Sequence, residues 1–218
     1  MKDFDLLIFD LDGVLVNTTS SHARAYGDLW RKLGVEGPPY ERIAGRKTSE
    51  VVAEVTTEMK PSAAEIRGWV GFKQKQARKH MLTEEIVYGD SLPSLTALAR
   101  EGVKLALGTG ASLETTDIVL RRMGLSGFFS IVVTAEDVTE GKPSPECYQN
   151  IIARAAVSPG KALVLEDSSS GLAAALATGA YAASVRSGVT ARHARFIGSF
   201  EDLTALLLNL RIGNRCDA

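Results

Sequence analysis

The residues able to do chemistry fall in four short stretches. They are Asp10 and Asp12 in Phe9-Asp10-Leu11-Asp12-Gly13, Thr109 in Leu107-Gly108-Thr109-Gly110-Ala111-Ser112, Lys142 in Gly141-Lys142-Pro143-Ser144-Pro145, and Glu166-Asp167 in Leu165-Glu166-Asp167-Ser168. On extended backbone, acids two apart put both carboxyls on one side, and two carboxylates held together need a cation or a shared proton. Thr109 adds a hydroxyl at a glycine-flanked turn. The backbone N–H groups of Gly110 and Ala111 there suit a phosphate ahead of a helix, and a plain capping turn is the other reading. The prolines at 143 and 145 stiffen the chain around Lys142 and aim it, unless it is a surface lysine. Glu166-Asp167 is either an acid pair for a metal or a helix N-cap. Hard oxygen donors without His or Cys select Mg²⁺ over zinc. A metal and a lysine would let an anionic phosphate approach these acids, and a carboxylate could then attack phosphorus. A calcium-binding helix–loop–helix counted from Asp10 fails, because Val14 and Ser21 occupy its fifth and twelfth positions.

Each stretch follows an apolar run. Residues 6–9 read as a strand buried on both faces. Residues 103–107, 131–133, 162–165 and 181–185 read as further strands, separated by helices at 93–100, 112–123, 145–156, after Ser168, and at 203–210. That alternation predicts an α/β fold with a parallel, doubly wound sheet, whose ligand crevice lies at the carboxyl ends of the strands. Residues 17–85 differ in character. Helical spacing at 20–33, around 51–55 and at 62–80, with Ser62 and Glu65 placed as a capping box, predicts an all-helical insertion. The expected organisation is a catalytic core of 1–16 and 86–218 and a helical cap of 17–85, entering at the end of the first strand as a lid over the aspartates.

Composition narrows the partners. With 218 residues, 45% hydrophobic and 23% charged, the chain is an ordinary globular protein. Its 25 basic and 26 acidic residues are mixed, so no footprint for nucleic acid stands out. Lys73, Lys75, Arg78 and Lys79 read as a solvated helix face. Cys147 and Cys216 lack metal-ligand spacing, which points to a reducing compartment. No leader pattern and no apolar stretch of spanning length is evident, so the expectation is a cytoplasmic protein without a membrane partner; a monomer is the default expectation.

The ordered set Asp10-Leu11-Asp12-Gly13-Val14, Thr109, Lys142 in Gly-Lys-Pro, and Glu166-Asp167 with Gly171 resembles the haloacid dehalogenase superfamily. Within it the likeness is to the branch of β-phosphoglucomutase and the phosphoglycolate phosphatases. The resemblance covers nearly the whole chain. It implies that Asp10 is the nucleophile forming an aspartyl-phosphate, and that Asp12 is the general acid and base and offers its carbonyl to Mg²⁺. It further implies that Thr109 and Lys142 hold the phosphoryl group, and that Asp167 and Glu166 complete the metal site with Asp10. Thr18 and His22 match a hydroxyl and a histidine where cap meets core, and Gly45-Arg46-Lys47 aligns with the mutase's substrate-specificity loop, with its basic residues at other offsets. Asn17 departs from a position that is commonly acidic in this branch. Ser112 and Leu113 stand where the mutase has lysine and asparagine, which removes groups that would grip a second phosphate. The expectation is therefore a Mg²⁺-dependent phosphatase acting on a small phosphorylated metabolite such as a sugar phosphate. A phosphomutase is the alternative, and a receiver-like signalling module the distant one.

Overall fold

A computed structural model describes residues 4–43, 46 and 48–210. Contacts divide the chain into two compact units, Met1–Asn17 with Ile86–Ala218, and Thr18–Glu85. Asn17, expected at the start of the insertion, groups with the first unit.

Strand β1 (Leu6–Phe9) is followed by the second unit, made of α1 (Thr19–Leu33), α2 (Thr48–Val55) and α3 (Ala63–Met81). Its own core gathers Tyr26, Leu29, Trp30, Ile43, Val51 and Val52. The Ser62–Glu65 capping box forms in full at the start of α3. Gly34, in the left-handed region at φ 66°, ends α1. Lys73 corrects the solvated-face reading. It is buried on the same stripe of α3 as Ala77 and Met81, whereas Lys75 and Lys79 are exposed. Its Nζ lies 2.8 Å from His22 Nδ1 and 4.6 Å from the Tyr26 ring centroid.

The first unit continues with α4 (Ser91–Arg100), β2 (Lys104–Gly108), α5 (Leu113–Arg122), β3 (Ile131–Val133), α6 (Glu146–Ala155), β4 (Ala162–Glu166), α7 (Ser169–Ala177), β5 (Tyr181–Val185), β6 (Phe196–Phe200) and α8 (Leu203–Leu210). The strands form one parallel sheet in the order β3-β2-β1-β4-β5-β6, as the strand–helix alternation predicts. All four residues of β1 are fully buried, each contributing about 2 kcal/mol of burial. The sixth strand is absent from the sequence-based expectation. It is an edge strand, half-exposed, with Gly198 inside it and a register shift opposite Ala182/Ala183, so it lacks a continuous apolar run.

Gly108 sets how closely α6 approaches the sheet. A Cβ there would lie 2.8 Å from Ile151 Cδ1 and 3.0 Å from both Cys147 Sγ and the Tyr148 ring. Only glycine at the end of β2 lets that helix pack so near.

Candidate active site

Register assembles the site. Phe9 pairs with Leu107 on one side and Leu165 on the other, so Asp10, Gly108-Thr109 and Glu166-Asp167 emerge together at the carboxyl edge of three adjacent strands. The Asp10 backbone N–H donates to Leu165 O at 2.9 Å, and Thr109 N–H to Val133 O at 3.0 Å, so each chain exit is fastened to its neighbour.

Lys142 reaches this edge from the turn before α6. Its Nζ donates to Asp10 Oδ1 at 2.6 Å, to Glu166 Oε1 at 2.5 Å and to Gly108 O at 3.4 Å. The aimed-lysine reading is the one the structure realises. Glu166 is fully buried. Its Oε1 also accepts from the Tyr148 hydroxyl at 2.5 Å, and its Oε2 accepts from Asp167 N, Ser168 N and Ser168 Oγ. Ser168 caps α7 at the same time through Gly171 N–H. A Cβ on Gly171 would fall 1.9 Å from the Glu166 carboxyl carbon, so the first turn of α7 can pass over that carboxylate only with glycine there.

Strand β1 stops at Phe9, and Asp12 bridges to Val16 across the tight turn 13–15 instead of continuing the strand. Leu15 and Val16 N–H groups both donate to Leu11 O, and Gly13 N–H donates to Val16 O. Gly13 has φ 80°, and a Cβ on it would lie 1.9 Å from Asp167 Oδ2. The second acid therefore packs directly against the turn that carries the first pair. Thr109 is buried, and its Oγ1 accepts from Ala111 N–H at 3.0 Å. The Ala111 N–H is thus taken up within the turn, as the plain-turn reading has it, while Gly110 is exposed.

The electrostatics are those of crowded acids around one cation. Burial holds the Asp10 carboxyl well above the ordinary carboxylate range, opposed by Lys142 and reinforced by Glu166 and Asp12. Asp167 is pushed up to about 6, chiefly by burial and then by the Glu166 charge, against Lys142. Glu166 goes the other way. Burial raises it, but the Lys142 charge and the hydrogen bonds from Lys142, Tyr148 and Ser168 outweigh that and hold it low. Lys142 stays firmly protonated, because Asp10, Tyr148 and Glu166 overcome its burial. Carboxylate oxygens of Asp10, Glu166 and Asp167 lie within 4.8 Å of one another. An all-oxygen donor set with two carboxyls pushed up by burial and further by neighbouring acids is what a hard divalent cation would relieve. The residues present fit Mg²⁺.

Tyr148 is the residue of this site that sequence reasoning missed. It lies on the buried stripe of α6 with Ile151, Ile152 and Ala155, and a phenol on an inward face needs a partner. The stripe was legible; the partner, Glu166, is 18 residues away and was not.

Three of the residues expected to touch substrate from the helical unit are described. Thr18 is buried at the start of α1, its carbonyl accepting from His22 N–H at 2.9 Å, and His22 meets Lys73. Arg46 is exposed and pairs with Glu54 at 2.6 Å. Gly45 and Lys47 lie outside the described residues. Among the described residues no helix is long and apolar enough to cross a membrane.

Comparison with known proteins fits this geometry. Residues 7–185 match the family model of the haloacid dehalogenase-like hydrolases. A phosphorylated carbohydrates phosphatase of Thermotoga maritima is 31% identical over 179 residues, covering 80% of this chain and 82% of the relative. The β-phosphoglucomutase of Bacillus subtilis is 27% identical over 192 residues, covering 84% and 83%. The crystal structure of CbbY from Rhodobacter sphaeroides in complex with phosphate superposes with a TM-score of 0.80 at 26% identity, covering 93% of this chain and 96% of that one. The chain belongs to the haloacid dehalogenase-like hydrolases, as its ordered motifs led us to expect.

Proposed function

We propose that this haloacid dehalogenase-like hydrolase is a Mg²⁺-dependent phosphatase that hydrolyses a small phosphomonoester, of the sugar-phosphate class, through an aspartyl-phosphate on Asp10. The single observation that carries the proposal is the contact set in which Lys142 bridges Asp10 and Glu166, with Asp167 alongside. Asp10, Glu166, Asp167 and the Asp12 carbonyl would hold the metal, which when bound would offset the excess negative charge and keep Asp10 ionised.

In the first step an Asp10 carboxylate oxygen attacks phosphorus while the bond from phosphorus to the substrate oxygen breaks. Asp12, protonated, gives its proton to that leaving oxygen. Lys142 and the Thr109 hydroxyl hold the phosphoryl oxygens as charge spreads over them. In the second step Asp12, now ionised, takes a proton from water, whose oxygen attacks the aspartyl-phosphate and releases inorganic phosphate and free Asp10.

The phosphatase reading is favoured over the mutase by what stands beside Thr109. Ser112 spends its hydroxyl on capping α5, through Thr115, and Leu113 is an exposed hydrocarbon. Neither offers a cation for a second phosphate, and Arg46 is engaged by Glu54. The relatives include a phosphatase of phosphorylated carbohydrates, which supports the substrate class.

The test is phosphate release by purified protein with Mg²⁺, from p-nitrophenyl phosphate and from a panel of sugar phosphates. Release is expected, and Asp10→Asn should abolish it. Normal turnover by Asp10→Asn would refute the mechanism. Retention of labelled phosphate on the sugar would refute hydrolysis in favour of the mutase.

A further inference from the structure

One arginine outside every motif is built into the turn that carries Asp12. Arg186 follows β5 with φ 68°, in the left-handed region that a bulky side chain rarely occupies. Its backbone N–H is fixed to Phe200 O at 2.8 Å. A long side chain kept in that conformation beside a functional edge calls for a reason.

The guanidinium supplies one. Its Nε donates to Val14 O at 3.1 Å, one of its terminal nitrogens pairs with Asp90 Oδ1, and its carbon sits 3.8 Å over the Tyr88 ring centroid. The group is largely buried, as is Asp90. Asp90 in turn accepts from Leu203 N–H at the start of α8, at 2.8 Å. Val14 belongs to the outgoing chain, two residues past Asp12. Tyr88 and Asp90 belong to the returning chain, which is tied to the outgoing one by Tyr88 N–H to Leu15 O, Ser91 Oγ to Leu15 O and Asn17 N–H to Ile86 O. The turn is thus gripped on two sides. Gly13 packs against Asp167, and the Val14 carbonyl is held by Arg186. Burial raises the Tyr88 hydroxyl, Arg186 opposes this, and the charges of Asp167 and Asp12 add to it, so the ring beneath the guanidinium lies in the field of both acids.

We propose that Arg186 is a positioning residue for Asp12: by fixing the Val14 carbonyl against the Tyr88–Asp90 segment, it sets where the Asp12 carboxyl stands relative to the leaving oxygen. The proposal rests on the phosphatase reading and on Asp12 as its general acid. A planar fork that stacks on an aromatic ring while donating to two acceptors in different directions is a task that lysine cannot do.

The consequence is selective. Proton donation matters most when the leaving oxygen is strongly basic, so a misplaced Asp12 penalises phenyl phosphate far more than p-nitrophenyl phosphate, whose leaving group departs without help. A defect that only lowers the folded fraction penalises both alike. For Arg186→Met we expect kcat/KM, which reports the step that expels the leaving oxygen, to fall roughly 30-fold or more for phenyl phosphate and about threefold at most for p-nitrophenyl phosphate. Asp90→Asn, which keeps the shape and removes the ion pair, should show the same selectivity. The double variant should lose little beyond the worse single one, because both act through one contact. Circular dichroism melts establish that each variant is folded, and if Arg186→Met is not, Asp90→Asn decides the question. Equal losses of kcat/KM on the two esters, or additive losses in the double variant, would overturn the role of Arg186. Failure of the wild type to turn over p-nitrophenyl phosphate would instead overturn the phosphatase reading, and this proposal with it.

Discussion

Removing one acid from the metal-free protein should make it more stable, and Asp167 is the acid to remove. Burial, together with the Glu166 charge, raises its carboxyl from the ordinary 3.8 to about 6, with Lys142 opposing and Asp12 adding. A roughly hundredfold change in acidity corresponds to about 3 kcal/mol, which partial exposure of the group brings down to about 1.5. The sign follows from linkage. The folded protein holds this proton more tightly than the unfolded chain, so ionisation weighs against folding. That penalty is complete above about pH 6, shrinks as the pH falls, and is gone below 3.8. Asparagine never ionises and carries no such penalty. For a chain of this size 1.5 kcal/mol is about 3–6 °C in melting temperature. Calorimetry in EDTA should therefore show Asp167→Asn melting above the wild type at pH 7.5, with the advantage shrinking at pH 5. Adding Mg²⁺ should reverse the order, because the ion stabilises only a protein that binds it. A variant that melts at or below the wild type in EDTA at pH 7.5, or that gains as much from Mg²⁺, would refute the crowded-acid account.

Two other substitutions probe the same cluster from different sides. Gly171→Ala places a Cβ on the Glu166 carboxyl, so either the carboxylate or α7 must move. We expect activity on p-nitrophenyl phosphate to fall at least about 100-fold, and urea unfolding to report a loss of about 1–3 kcal/mol. Lys142→Met leaves Asp10 and Glu166 facing each other without their cation. Urea unfolding at pH 7.5 should report a loss of about 3–5 kcal/mol, partly recovered at pH 5 as the acids take up protons.

What could be read ahead of the structure followed from local pattern. The run Leu6–Phe9 announces a strand buried on both faces, and the acids, hydroxyl and lysine that follow apolar runs do converge on one sheet edge. Ser62 forms the capping box expected at the start of the third helix of the insertion, and Ser112 and Ser168 cap α5 and α7. The unreadable part was contact between distant segments. Lys73 looks solvated until α1 supplies His22 and Tyr26 against it. Arg186 sits in no motif, and its partners lie about a hundred or more residues earlier in the chain. Strand β6 has neither a continuous apolar run nor clean alternation, since an edge strand needs only one neighbour.

The sheet order has a consequence for how the chain is made. Strand β1 lies in the middle of the sheet, yet its partners β2 and β4 begin at Lys104 and Ala162. Everything between Thr18 and Glu85 belongs to a unit contiguous in sequence, complete in its own contacts before the first of those partners has been synthesised. Translation at 5–20 residues per second leaves one side of β1 open for about 10–30 s after it emerges. For that interval an apolar strand with unpaired backbone is presented to the cell, so the order of synthesis makes this central strand the segment most in need of shielding.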